Sequence, residues 1–433
     1  MALKDRKEIL AVASVPEEVT GEPERVVFGS GLLRNTFASL RHRNFRLFFA
    51  GQLVSLIGTW MQNTAQGWLV YQITGSKWML GVVAAVGSTP MMLFSIWGGS
   101  VADRHSKRRI IMWTQLTMMV LAFIYAGLVW SGGIKPWHIL LLASGGGLAM
   151  AFDMPARQAF MVEMTSREDL INAISLNSSI VNGARVLGPS MAGLLMARVG
   201  LGTCFFLNGL SFLAVIAGLW LMRLPTFIPP QRTSSAWAHA AEGFAYVWHH
   251  FRMRTILLLF AIVGIFGWSY SVLMPAFARD VLKVGQAQYG MLLSANGVGA
   301  LLGALTVATV GTRVNRRILV FGGLWVFSLL LVLLAWTRNY YLALAFLAVA
   351  GWGMLLFFST TNTLLQTSAS DQMRGRVMGI WALVFGGMTP IGGLEAGALS
   401  HFLGIPWAVT IGAGVCAGAA LVVWLLVRRR TAA

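Results

Sequence analysis

The sequence predicts an all-α membrane protein whose twelve transmembrane helices form two pseudo-symmetric six-helix bundles. Of 433 residues, 57% are hydrophobic and only 11% charged, whereas a water-facing surface carries roughly a quarter charged residues. Runs of about 20 mostly apolar residues, enough to cross a bilayer as a helix, recur along the whole chain. Short motifs of the first half also return in the second. The alternating segments of roughly ten residues that mark a membrane β-barrel are missing from the sequence.

Residues 1–43 are polar, mixed in charge and interrupted by Pro16 and Pro23, so a cytoplasmic tail with no secretory signal is expected there. Six spans follow at 45–71, 78–101, 110–131, 137–156, 171–197 and 202–222, giving an N-terminal bundle over 44–222. Residues 223–254 open on "RLPTFIPPQRTSS" and continue with His239, Glu242, His249 and His250, which reads as a cytoplasmic linker. A second set of spans at 255–278, 288–310, 317–336, 341–364, 376–399 and 405–427 makes a C-terminal bundle over 255–427, with a cytoplasmic tail at 428–433.

Thirty-three Lys and Arg against 15 Asp and Glu give a net charge of +18, and the excess sits in short loops. Arg41 and Arg43, the cluster from Arg104 to Arg109, Arg374 and Arg376, and Arg428 to Arg430 fall on one side. The positive-inside rule makes that side cytoplasmic, and an even number of spans returns both termini to it. No zinc spacing or RNA-binding aromatic signature accompanies the charge, so nucleic acid is not an expected partner. Cys204 and Cys416 lie inside apolar runs, and the adjacent His249 and His250 lack metal-ligand spacing. Without a phosphate-binding G-x-x-x-x-G-K-[ST] loop or a hydrolase constellation, no catalytic residue, metal or cofactor is assigned.

The halves repeat. Trp60 and Gly81 correspond to Trp268 and Gly290, "RHSKRRI" after the second span returns as "RVNRRIL" after the eighth, and "GPSMAG" at 188–193 is echoed by "TPIGG" at 389–393. Duplication about a central linker is a common plan of secondary transporters, with the substrate site between the repeats near the bilayer midplane.

Gly99, Asp103, Arg104, Lys107, Arg108 and Arg109 resemble the loop signature of the major facilitator superfamily, with Ser106 where that pattern prefers glycine. "GARVLGPSMAG" at 183–193, which holds Gly188, Pro189 and Gly193, is similar to the fifth-helix motif of its antiporting branches. The text at 43–76 and 153–164 resembles the drug and siderophore exporter branch that includes the enterobactin exporter. The resemblance implies the major facilitator fold and a monomeric secondary transporter, not an enzyme, in the bacterial inner membrane. Such a carrier would export an amphipathic organic compound, drug- or siderophore-like, in exchange for protons by alternating access. It also implies a conformational latch of Gly99, Asp103, Arg104, Arg108 and Asp153: Asp103 would face the start of the eleventh helix near Arg376, and Arg104 or Arg108 would pair with Asp153. A plain positive-inside anchor is the alternative for the basic residues.

On the first span Gln52, Ser55, Thr59, Gln62 and Gln66 recur every three or four residues, with Asn63 beside them, so one face is polar. A wet face on a membrane helix predicts a cavity; hydrogen bonding between helices is the competing reading. Trp268 and Tyr270 on the seventh span and Asn362 on the tenth are candidates for the same cavity. Asn182 and Arg185 come from the fifth, and an intramembrane arginine costs about 2.5–3.5 kcal/mol on insertion scales, so either an internal partner or a ligand anion is expected for it. Glu395 on the eleventh span is a candidate proton carrier or an interfacial charge. A lipid or lysolipid flippase of the same fold, or a passive channel or receptor, remains open beside the exporter.

Overall fold

A computed structural model describes residues 37–166, 168–224, 236–311 and 313–432. Most of the expected N-terminal tail and residues 225–235 of the expected linker lie outside them. The helices are α1 (Arg43–Thr74), α2 (Lys77–Arg104), α3 (Lys107–Trp130), α4 (Pro136–Met164), α5 (Leu170–Val199) and α6 (Leu201–Leu221). They are followed by α7 (Ala236–His249), then α8 (Phe251–Val281), α9 (Gln286–Val310), α10 (Ile318–Trp336), α11 (Tyr340–Ser368), α12 (Asp371–Leu403) and α13 (Ile405–Ala432). No strand occurs among the described residues. Eleven of these helices are long and apolar enough to cross a membrane. The twelfth crossing is α1, 32 residues long, whose Gln and Asn side chains dilute its apolar run. The predicted spans are recovered, most of them with longer ends, and the expected linker contains one further helix, α7.

Local chemistry sets the boundaries. Gly75, at φ 59°, ends α1 in the left-handed region and donates its N–H to the Tyr71 carbonyl. Ser76 caps α2 by accepting from the Met79 N–H at 3.2 Å, and Asn339 accepts from Tyr341 and Leu342 at the start of α11. The glycine missing from the loop between α2 and α3 is not required: Ser106 has φ −58°, which any residue adopts. Gly200 (φ 91°) and Gly404 (φ 84°) make the same reversal between α5 and α6 and between α12 and α13.

Small residues bring the bundles together, as expected where lipid removes the hydrophobic drive for helix pairing. A Cβ on Gly81 of α2 would lie 2.2 Å from the Gly393 carbonyl oxygen and 3.0 Å from the Gly397 Cα of α12. A Cβ on Gly290 of α9 would lie 2.3 Å from the Pro189 carbonyl oxygen and 2.8 Å from the Gly193 Cα of α5. These are one contact repeated. They equate Pro189 with Gly393 and Gly193 with Gly397, one helical turn away from the match suggested by "TPIGG", and Gly200 and Gly404 keep the same offset.

At the end where α1 begins and α13 finishes, called here the basic end, charge is neutralised within the first bundle. Asp153, 2% exposed, pairs with Arg157 one turn along α4, which also donates to Gln52. The same carboxylate accepts from Thr114 at 2.6 Å and Gln115 at 3.1 Å on α3. Lys107 pairs with Glu163 at 2.7 Å, and Arg108 donates to the Trp220 carbonyl at 3.0 Å. The expected bond from Arg104 or Arg108 to Asp153 therefore does not form, because Arg157 on the same helix is preorganised one turn away. Gly98, rather than Gly99, makes the close approach to α4: its Cβ would fall 2.0 Å from the Ala151 carbonyl, while Gly99 faces open space.

Candidate functional site

The two glycine seams lie at the end opposite the basic one. Tyr71 at the end of α1 adds to them by donating to Asp280 at the end of α8, and the Arg279 guanidinium lies 5.8 Å from the Tyr71 ring centroid. Trp68 packs on Tyr289 with ring centroids 5.3 Å apart. Toward the basic end the same helices diverge: a Cβ on Gly183 of α5, or on Gly379 or Gly386 of α12, would meet nothing within 4 Å. A cavity of about 250 Å³ opens there, lined by Met91, Ser95, Met154 and Gln158 from the first bundle and Gly379 and Gly386 from the second.

Behind the seams, between the bundles, lies a cavity of about 370 Å³. Arg185 reaches it from α5, where Ser294 of α9 donates to the Val186 carbonyl at 2.6 Å and holds the crossing tight. Its guanidinium donates to Asn296 Oδ1 at 2.9 Å and lies 5.9 Å from the Trp60 ring centroid and 5.7 Å from that of Trp268. The two tryptophans that the sequence paired as repeat equivalents thus flank one cation. Among the described residues no carboxylate lies within ion-pair distance of Arg185. Trp268 follows a π-helical turn at Val263–Gly267, a local widening that turns the rest of α8.

Of the predicted cavity residues, Asn63, Gln66, Arg185, Trp268 and Tyr270 line this space, and Trp60, Asn296, Ser271 and Tyr289 join them. Thr59 and Gln62 line a second cavity of about 380 Å³ inside the first bundle, which shares Asn63 and Gln66 with the central one. Two members of the stripe do not line either space. Gln52 is consumed by Arg157, and Ser55 is 3% exposed, because the stripe winds from the cavity into the basic-end network. Asn182 donates to the Ser178 carbonyl and Asn362 accepts from Gln366, and neither lines these two cavities. Asn296 was missed because a lone amide in an apolar run carries no periodic signal.

Glu395 of α12 meets Ser269, the residue after Trp268. Its Oε2 lies 2.8 Å from the Ser269 hydroxyl, and its Oε1 is buried with no hydrogen-bond partner. Ser269 is also 2.8 Å from the Ile265 carbonyl. At the basic end Arg376, which the resemblance placed opposite Asp103, pairs with Glu242 of α7, and Gly243 packs on the Arg376 Cβ. Among the described residues no group of three His, Cys, Asp or Glu is arranged to hold a metal.

A family model described as transmembrane secretion effector matches residues 34–433. The chain belongs to this family of major facilitator transporters. The multidrug efflux pump Tap of Mycolicibacterium fortuitum is 26% identical, covering 78% of this chain and 84% of that protein. The staphyloferrin A transporter of Staphylococcus aureus is 24% identical over 83% and 90%, and the enterobactin exporter EntS of Salmonella choleraesuis 26% over 78% and 81%. The solved nucleoside transporter NupG superposes with a TM-score of 0.67 at 14% identity, covering 89% of this chain and 98% of that one. A bacterial Spinster homologue in an inward-facing, occupied conformation gives 0.67 at 15% identity over 89% and 97%. At such identities the structures establish the fold, and the family places the chain among transporters rather than enzymes.

Proposed function

We propose that the chain is a proton-coupled exporter of an amphipathic organic anion, working by alternating access. The observation that carries this reading is Arg185: a cation with no acid partner among the described residues, held between two aromatic faces in a cavity shared by both bundles. A planar anion placed there gains charge-assisted hydrogen bonds from the guanidinium and stacking from Trp60 and Trp268. Two relatives are named for staphyloferrin A and enterobactin, which makes siderophores the first cargoes to try, and Tap adds hydrophobic drugs.

Proton exchange rests on Glu395. Its Oε2 accepts from the Ser269 hydroxyl at 2.8 Å, and its buried Oε1, without a partner among the described residues, is the oxygen that would carry the exchanged proton. Loss of that proton leaves a buried carboxylate with the Ser269 hydroxyl as its hydrogen-bond donor, a state favoured only when water or a ligand enters. Residues 44–222 rock against 255–427, parting the glycine seams and the Tyr71–Asp280 bond as the basic end closes. Asp103, with Gly99, Arg104 and Arg108, serves as the latch of the closed basic end, and Asp153 anchors the loop's bundle. The protein is a monomer of the bacterial inner membrane, with the basic end and both termini in the cytoplasm.

The test is reconstitution in proteoliposomes carrying a pH-sensitive dye, with staphyloferrin A, enterobactin and hydrophobic drugs supplied in turn. A cargo should trigger proton movement and show counterflow, and Arg185→Gln should abolish both for anions. Equal transport of the same anions by Arg185→Gln would remove the anion reading, and flux without counterflow would indicate a channel.

A further inference from the structure

The cavity inside the first bundle is lined from α1, α2, α3, α4 and α6 and holds no charged side chain. Met91, Met118 and Met150 supply adaptable thioether surface. The hydroxyls of Thr59, Ser88 and Tyr125 on its wall donate to the Ser55, Ala84 and Ile139 carbonyls, so its remaining polar groups are amides. Gln62 lines the space and accepts from Asn208 at 2.7 Å through its oxygen, while its NH₂ group makes no hydrogen bond to another described residue. Asn63 and Gln66 stand on the wall common to this cavity and the central one, and neither makes a hydrogen bond to another described residue. Amides left unpaired at membrane depth are expensive unless water or a ligand satisfies them.

We infer that this cavity is a second subsite of the transport site, which takes an uncharged, amide- or hydroxyl-bearing arm of the cargo while Arg185 holds its anionic head. The assignment rests on the proposed anion site at Arg185 and deepens it. The cargo class it defines is bipartite: a planar acid joined to a neutral chain or ring large enough to fill about 380 Å³. Asn63 and Gln66 then read the junction between head and arm. A charge of either sign on the arm is disfavoured, since the second subsite offers it no partner.

The test uses the full chain in nanodiscs with two probes, benzoate and para-hexanoylaminobenzoate, titrated by calorimetry. The longer probe should bind about tenfold or more tightly, since its chain leaves water for an apolar wall. Gly146 lines the subsite and has open space around its Cβ position. Gly146→Leu from α4 and Met118→Trp from α3 should therefore fill the pocket, bring the longer probe down to benzoate affinity and leave benzoate binding unchanged. Retained preference for the longer probe in both variants overturns the subsite. Arg185→Gln should weaken both probes equally; if it does not, the anion reading fails while the preference for the chain still decides the subsite. A ligand-independent measurement stands beside these. Ser88 lines the pocket, and both native cysteines are buried, so Ser88→Cys should react with N-ethylmaleimide and be protected by the longer probe but not by benzoate. Absence of labelling, or protection by neither probe, overturns the subsite whatever the titrations show.

Discussion

An alanine at Gly81 or Gly290 should act as a wedge that opens the end opposite the termini. At Gly81 the added methyl would sit 2.2 Å from a backbone oxygen, and at Gly290 2.3 Å, so the helices themselves must separate. Overpacking of this kind costs roughly 1–3 kcal/mol, and only the state with closed seams bears it. The equilibrium between the two states should shift by roughly 5- to 150-fold toward the opened seam. The two glycines share no contact partner, so the double variant should combine both shifts approximately additively in free energy. The assay is labelling of Asn63→Cys, on the cavity wall, by an impermeant thiol reagent applied from the side opposite the termini. Gly379→Ala, with open space at its Cβ position, is the control and should leave the rate unchanged. If Gly81→Ala and Gly290→Ala label no faster than Gly379→Ala, the seams do not gate the cavity.

Three further expectations rest on other contacts. Tyr71→Phe removes a hydrogen bond to a carboxylate, worth about 1.5–3 kcal/mol, and should raise the same labelling rate as the glycine wedges do. Asp153→Asn leaves Arg157 without its counter-charge in a buried site; breaking such a pair costs about 3–5 kcal/mol, and thermal unfolding in detergent should occur at a clearly lower temperature, with cavity residues untouched. Glu395→Gln should retain cargo binding and counterflow but lose ligand-triggered proton movement; proton movement equal to wild type would clear Glu395 of the role.

The polar stripe shows where sequence reading stops. Spacing alone put Gln52, Ser55, Thr59, Gln62 and Gln66 on one side of α1, and the helix keeps that order. Periodicity does not say what lies opposite each turn. Gln52 meets Arg157, Gln62 meets Asn208, and Gln66 meets open cavity. Arg185 was recognised as anomalous from its depth in an apolar run, yet its flanking by Trp60 and Trp268 joins three segments more than 80 residues apart in the chain at the closest.

By itself the sequence determined that the chain is all-helical, lies in a membrane and is internally duplicated, because bilayer thickness fixes span length and a charge in lipid is costly enough to leave an unmistakable pattern. Tertiary structure alone decided the rest. Glycine seams align the repeats one turn away from the apparent match, Glu242 of α7 pairs with Arg376, and the stripe divides between a charge network and two cavities. Helix–helix packing in lipid is set by backbone approach and by individual polar partners across distant segments, and neither quantity is written in local composition.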